Sequence, residues 1–447
     1  MSNMKIIWRF SFAISMVCGW WISASSTLVE KESFDNTPVE HVEHTLVPDK
    51  QISELTQKVA ARLPHIGAPQ RQIVQRNFID HHLFQAMVRD NIPHAPLSND
   101  YEFARRVYLD LTRRIPTTEQ LASFVNDVDE GKRDRLIDHL LETQYCADHW
   151  TACFGTPFRH DADRTENAST NHFDELTFAH MLASHPPIAR ATINLVWKQF
   201  FGLGMVEPVD DLDRSRQDPQ NPPSVSSTVQ PRNAMLQKAL AGDFANNGFS
   251  LKHLTRTITR SSAYQLSSRF DGQWRESYTP YFARHYVHLL TVEQIHNAVT
   301  QATQVARDSR NDMSFSGELQ PKQFCTEVAA SSEEKRAKLF LHTFDQTNGE
   351  LTEPRPVGSI LQAKVLIRSP YVTQRVRAEG GSLVDRLVNS QSSDEAIVDE
   401  LYLATLSRRP LPKETRLALD WLEGDRQRGA EDVQWSLLNK LDFIVNY

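Results

Sequence analysis

The sequence predicts an all-α protein, a multi-helix array of amphipathic helices and helical hairpins joined by long loops. Three observations carry this. Apolar residues recur at helical spacing in one segment after another. Proline, glycine and capping residues punctuate those segments. No segment sustains the period-two alternation of a strand. With 447 residues, 40% of them hydrophobic and 23% charged, the chain is long and apolar enough to bury a sizeable core, and its length fits two to three domains.

The N-terminus reads separately from the rest. Lys5 and Arg9 precede the apolar run Phe10 to Ile22, and the small residues Ser23 to Ser26 follow it, the order of a secretory signal peptide. The run is shorter than the ~20 residues of a comfortable span. An uncleaved anchor is the rival reading, because the cleavage site lacks a clean A-x-A. No later stretch is apolar enough to span a bilayer, so no transmembrane span is expected after signal removal. The protein is expected in the periplasm or at the cell surface. Export implies an oxidising compartment. Cys146 and Cys153 lie two helical turns apart, roughly 10 Å, which is too far for a disulfide. Either one can pair with Cys325, leaving an odd thiol.

Residues 1–25 are thus read as signal peptide and 26–70 as a polar tether with one helix over Gln51–Leu63. An N-terminal helical domain follows over 71–160. Its first helix, Arg71–Val88, carries Ile73, Phe78, Ile79, Leu83, Phe84 and Met87 on one stripe and stops at Pro93 and Pro96. Asp100 caps a helix bearing Phe103, Val107 and Leu111. Pro116 ends that one, Thr117 or Thr118 opens the next, and Arg133–Thr143 is amphipathic. A polar linker, 161–185, leads to a central domain over 186–305. Pro186 and Pro187 start a helix there that Gly202 and Gly204 end. Asp210–Pro231 reads as a long loop. Helices resume at Asn233–Phe244, at Leu251–Arg260 after the cap Ser250, and at Thr291–Gln301. A variable loop, 306–332, precedes a C-terminal helical domain over 333–447, with helices at 333–344, 359–367, Thr373–Leu387 and Asp394–Leu406.

One internal echo stands out. Tyr108-Leu109, Arg113-Arg114, Pro116 and Glu119 are mirrored by Tyr402-Leu403, Arg408-Arg409, Pro410 or Pro412, and Glu414. This is the pattern of a helical hairpin: arginines suit the negative end of a helix, proline forces the turn, and a new helix begins.

Several stretches together resemble a pair of planctomycete-type domains of unknown function, the families numbered 1549 and 1553. The first resemblance lies in Asn77-Phe78-Ile79-Asp80 and in the run from Phe103 to Thr117, including Arg105-Arg106, Tyr108 and Asp110. The second lies in Ala189-Arg190, Asn194, Trp197, Phe201-Gly202-Leu203-Gly204 and Asp211. It continues through Phe244, Asn247-Gly248, Leu251-Lys252, Ser261, Tyr264, Ser267-Ser268, Gly358 to Ala363 and Ser369 to Val372. The resemblance implies an exported protein. Relatives often carry a cytochrome-c-like module and are frequently found beside sulfatase-like partners, and no catalytic residues come with the resemblance. This chain is similar to a short form: it lacks the haem-attachment motif, the region between Gly155 and His185 is short, Arg368 stands where Asn is usual, and Leu289 where Arg is expected.

Candidate chemistry gathers at three places. Arg190, Asn194 and Trp197 are spaced along one helical face, with Asp210, Asp211 and Asp213 nearby. An arginine, an amide and an indole suit an anion or a sugar, and the competing reading is a buried network fixing helix to loop. Lys252, Arg256 and Arg260 recur every four residues beside Ser261, Ser262 and Tyr264. Such a row suits sulfate, phosphate or an acidic glycan, or else a salt-bridged solvent face. Glu293 and His296, three apart, have the makings of an acid–base pair. The histidines between His139 and His185 crowd Asp161, Asp163, Asp174 and Glu175, yet none has the H-x-x-x-H spacing, so no metal is predicted. No cofactor is predicted either.

The net charge of −7 argues against a nucleic-acid partner. Hydrolase elbow, Walker and dinucleotide motifs are absent from the sequence. The leading expectation is a non-catalytic binding or assembly module of the cell envelope, with an envelope protein or polysaccharide as partner. The alternative is a secreted hydrolase of envelope or extracellular polysaccharide using Asp210, Asp211 or Glu293. A third reading, an electron-transfer accessory, is disfavoured by the missing haem motif.

Overall fold

Helices dominate the computed structural model, which describes residues 47–64, 73–150, 182, 186–207, 233–305, 366–367 and 369–447. The N-terminal segment read as a signal peptide, most of the linker 161–185, the loop bearing Asp210, Asp211 and Asp213, the 306–332 loop, Cys153 and Cys325, and the helices expected over 333–344 and 359–365 lie outside the described residues.

In chain order the helices are α1 (Val47–Ala60), α2 (Phe78–Arg89), α3 (Asp100–Thr112), α4 (Thr118–Asn126), α5 (Lys132–Leu141), α6 (Gln144–Trp150), α7 (Pro186–Phe201), α8 (Ala234–Asn246), α9 (Leu251–Arg260), α10 (Val292–Thr303), α11 (Pro370–Arg375), α12 (Leu383–Val388), α13 (Asp394–Leu406), α14 (Pro412–Gly424) and α15 (Arg426–Leu438). A 3-10 turn spans Glu276–Tyr281, and the strands β1 (His288–Leu289) and β2 (Val445–Asn446) pair antiparallel, His288 opposite Asn446. The fold is all-α; two-residue strands are too short to leave a periodic signature.

Caps set the boundaries. Ser250 accepts from the His253 N–H, as its position predicts, and Thr291 forms a reciprocal capping box with Gln294. Three boundaries differ from expectation. Asn77, not a residue near Arg71, starts α2, because its side chain takes the Ile79 and Asp80 amides. Asn99 caps α3 and Asp100 is its first residue. The helix expected over Thr373–Leu387 is broken in two, because Gly380 and Gly381 adopt φ values of 64° and 77°, which only glycine takes readily.

One core joins α2–α9, while α10–α15 enclose a second. Helix α3 belongs to both: Phe103, Val107 and Leu111 face the first, and Leu109 the second. Every residue from Glu102 to Thr112 is buried. A third, small core seats α1 on the β1–β2 ribbon through Leu55, Val59, Val287, Val445 and Tyr447.

The hairpin echo is structural and longer than the sequence reveals. Helices α3, α4 and α5 start at Asp100, Thr118 and Lys132, and α13, α14 and α15 start at Asp394, Pro412 and Arg426, each 294 residues on. In this register Arg113 matches Ser407, not an arginine. The two residues share a left-handed conformation, φ 56° and 53°, and each amide closes its helix on a carbonyl, Leu109 or Leu403. The chemistry is not repeated: Glu102, Arg105, Arg106 and Asp110 correspond to Ala396, Asp399, Glu400 and Ala404.

Candidate functional site

The residues singled out by sequence do not converge on one site. On α7, Arg190 is exposed, whereas Asn194 and Trp197 are sealed in the core. The Asn194 side-chain amide donates to the Val206 carbonyl at 2.9 Å, and its oxygen accepts from the Val206 N–H at 3.0 Å. Trp197 stacks on Phe201, centroids 4.0 Å apart. This pair fixes the chain after α7, so the face is not an anion or sugar pocket.

The basic row on α9 is matched by an acidic row on α5. Lys252 lies 2.6 Å from Glu142, Arg256 2.9 Å from Asp138, and Arg260 2.5 Å from another Asp138 oxygen. Each acid lies four residues from the next, so two antiparallel helices meet charge to charge. The row is a salt-bridged seam between helices, not an open cationic face. Glu293 is half-buried on α10. His296 is buried and its Nδ1 lies 2.8 Å from the Tyr371 hydroxyl, which ties α10 to α11.

The densest chemistry sits on α3, where sequence reasoning placed no site. Arg106 is fully buried and donates from all three nitrogens: to the Tyr264 and Leu266 carbonyls at 2.6 and 2.8 Å, to the Tyr447 main-chain oxygen at 3.2 Å, and to Glu102 at 2.9 Å. Glu102 also accepts from the Ser267 hydroxyl and the Ser268 N–H. Arg105 reaches across to the Phe443 carbonyl at 2.9 Å. Asp110 accepts from the Tyr264 hydroxyl at 2.7 Å and from the Asn446 side-chain amide at 2.6 Å, with His288 Nε2 4.0 Å away. Nearby, Asp80 takes the N–H groups of Ser262 and Ala263 at 2.9 Å each. Residues that carry the two resemblances therefore bond to each other: Arg106 and Asp110 from the first meet Tyr264 from the second, while Asp80, Ser267 and Ser268 bond immediate neighbours of the motif residues, Ser262, Ala263 and Glu102.

Burial perturbs this second seam, the buried one around α3, electrically. It pushes the Asp110 carboxyl up to about 7, against the Tyr264 bond and the Arg106 charge. It pushes His288 down to about 4, and lowers His285 and His149 well below the ordinary imidazole value. The three depressed imidazoles contribute stability that is present above about pH 6.5 and is lost as pH falls toward their folded values. Asp110, being raised, acts oppositely: its contribution is present below about pH 4 and is lost as pH rises through 7. Three groups outweigh one. Stability is expected to fall between pH 6.5 and 4.5 by about 2–3 kcal/mol, on the scale of the His288 shift alone. Melting temperature followed across that window checks this; a flat or rising profile contradicts it.

Between α14 and α15 lies a groove of about 300 Å³ lined by Trp421, Asp425, Arg428, Gly429, Asp432 and Trp435. The helices cross closely because Gly429 has no side chain: a Cβ there would lie 2.3 Å from the Trp421 carbonyl oxygen. Its signal in the sequence was two indoles among charged residues, in a stretch too polar to predict as core helix.

Comparison with known proteins gives two matches. Residues 175–422 match the family model described as PSD1, Protein of unknown function (DUF1553), and residues 78–179 match PSCyt2, Protein of unknown function (DUF1549). No curated protein and no solved structure matches the chain.

Proposed function

Since the chain belongs to the family described as Protein of unknown function (DUF1553), whose description assigns no activity, we propose from the site itself that this is a non-catalytic binding or assembly module exported to the cell envelope. The observation that carries this is the engagement of the buried charges. Arg106, Glu102 and Asp110 have little or no exposed surface, and their polar atoms are occupied by main-chain and side-chain partners from distant segments. Groups spent on holding helices together are not available to a substrate. Among the described residues no helix is long and apolar enough to cross a membrane, and no group of three or more His, Cys, Asp or Glu side chains is placed to hold a metal ion.

A secreted hydrolase of envelope or extracellular polysaccharide is the second reading. One feature favours it: a carboxyl held near neutrality at Asp110, 4.0 Å from an imidazole, has the poise of a general acid–base. Cross-linking the full chain in its native cells separates the two. The module is expected to yield a recurrent envelope protein or polysaccharide neighbour. An absence of neighbours, together with release of sugar reducing ends that Asp110→Asn abolishes, overturns it in favour of the hydrolase.

A further inference from the structure

We infer that the groove between α14 and α15 is a saccharide-binding site, with Trp421 and Trp435 as stacking faces and Asp425, Arg428 and Asp432 as hydrogen-bonding groups. The inference names a ligand class for the binding module and rests on that reading for its biological sense.

The indoles differ from the other described tryptophans. Trp150, Trp197 and Trp274 each pack against further aromatic rings. Among the described residues, Trp421 and Trp435 stack on no aromatic ring and carry no cation over their faces. Trp421 is 49% exposed, and Leu417, one turn earlier on α14, is 52% exposed. Trp435 is half-buried with one side packed on the second core, which holds it in place. A rigid, partly exposed indole offers a flat apolar face to the C–H side of a sugar ring.

The polar groups supply the rest of the chemistry. Asp425 Oδ1 caps α15 by accepting from the Arg428 N–H at 3.0 Å, which fixes the carboxylate while leaving its other oxygen unused by the cap. Arg428 and Asp432 are exposed and only loosely paired, 4.0 Å apart. Carboxylates accept from sugar hydroxyls and a guanidinium donates to ring or carbonyl oxygens. Two acids against one arginine make the groove unfavourable to an acidic glycan and suited to a neutral or N-acetylated one.

The groove's volume, about 300 Å³, lies at the lower end of small-ligand sites, about 300–1,000 Å³. Two indoles set among three charged groups suit a ring with an apolar face and polar edges better than the continuous apolar stripe of a docked helix. A second cleft of about 250 Å³, lined by Pro116, Thr118, Glu119 and Gln304 among others, offers no aromatic face and no cation.

The test uses the full chain titrated with cellohexaose and chitohexaose, followed by calorimetry and tryptophan fluorescence. Saturable binding of at least one is expected, weakened tenfold or more by Trp421→Ala and by Trp435→Ala, and largely retained by Trp421→Phe. Trp421→Ala is expected to stay folded, with a melting temperature no more than a few degrees below the parent's, since about half of the side chain is already exposed. Failure of both sugars at millimolar concentration overturns the inference. So does sugar binding that neither tryptophan variant alters. So does a groove that takes up only a hydrophobic dye, lost in Trp421→Ala, which would mark it as a protein-docking face. In each of these cases a neighbour recovered by cross-linking still leaves the binding-module reading standing.

Discussion

Arg106→Met is expected to destabilise the protein by about 3–5 kcal/mol, the range for removing one partner of a buried ion pair. The guanidinium is fully buried and serves four acceptors, one on its own helix and three on two distant segments: Glu102 on α3, the Tyr264 and Leu266 carbonyls, and the Tyr447 main-chain oxygen. Methionine fills much of the volume but donates nothing. Glu102 then keeps a buried charge with only the Ser267 hydroxyl and Ser268 amide for support. Against a typical total of about 5–15 kcal/mol, this is a large fraction of the stability. Urea unfolding should show a lower midpoint with an unchanged slope. Adding Glu102→Gln should recover part of the loss by removing the stranded charge. A loss below about 1 kcal/mol, or no recovery in the double variant, would mean that the seam does not hold the fold.

Gly429→Ala is the second large effect, expected to cost about 2–3 kcal/mol. In an ordinary helix this change stabilises by about 1 kcal/mol. Here the new Cβ would lie 2.3 Å from the Trp421 carbonyl oxygen, 2.6 Å from its carbon and 2.8 Å from the Leu422 Cα. All three are backbone atoms of α14, so no rotamer change relieves them and the whole helix must move away. Gly424 is the control. A Cβ there meets nothing within 4 Å, so Gly424→Ala should be neutral or slightly stabilising. Thermal unfolding of the pair reads the difference; equal melting temperatures would contradict the close crossing.

The all-α class and most helix positions were legible because apolar spacing and caps are local signals. Ser250 caps its helix where the sequence places it, the helix expected from Thr291 is found with Thr291 as its cap, and α13 runs from Asp394 to Leu406 as expected. The hairpin echo was legible too, though its register was one residue out at Arg113, because the paired arginines attract the eye while the left-handed cap residue has no fixed side chain. The break at Gly380-Gly381 had a visible signal that an uninterrupted apolar pattern overrode. The start of α14 was legible from the hairpin pattern, but its extent and the whole of α15 were missed because their exposed faces are strongly polar.

The seam was not legible for a different reason. Arg105 and Arg106 look like solvent residues on an amphipathic helix. Their partners lie about 160 to 340 residues away, at 264–266 and 442–447, in segments with no regular period. The fate of Lys252, Arg256 and Arg260 was closer to hand: Asp134, Asp138 and Glu142 repeat the same four-residue spacing on α5 with opposite charge. The pair Asn194 and Trp197 was read for its chemistry, but a residue type alone does not say which side of the helix is sealed. The indole, arginine and carboxylate sought on α7 occur together in the open on α14 and α15.

On the proposed reading, buried charges build the fold and the surface groove between α14 and α15 binds saccharide. Its most direct test measures stability and cellohexaose or chitohexaose binding side by side in Arg106→Met and Trp421→Ala. The prediction is a crossed result: the Arg106 variant loses much stability while its folded fraction binds sugar as the parent does, and the Trp421 variant loses far less stability but loses binding. A Trp421 variant that binds normally, or an Arg106 variant that is as stable as the parent but cannot bind, would contradict that reading.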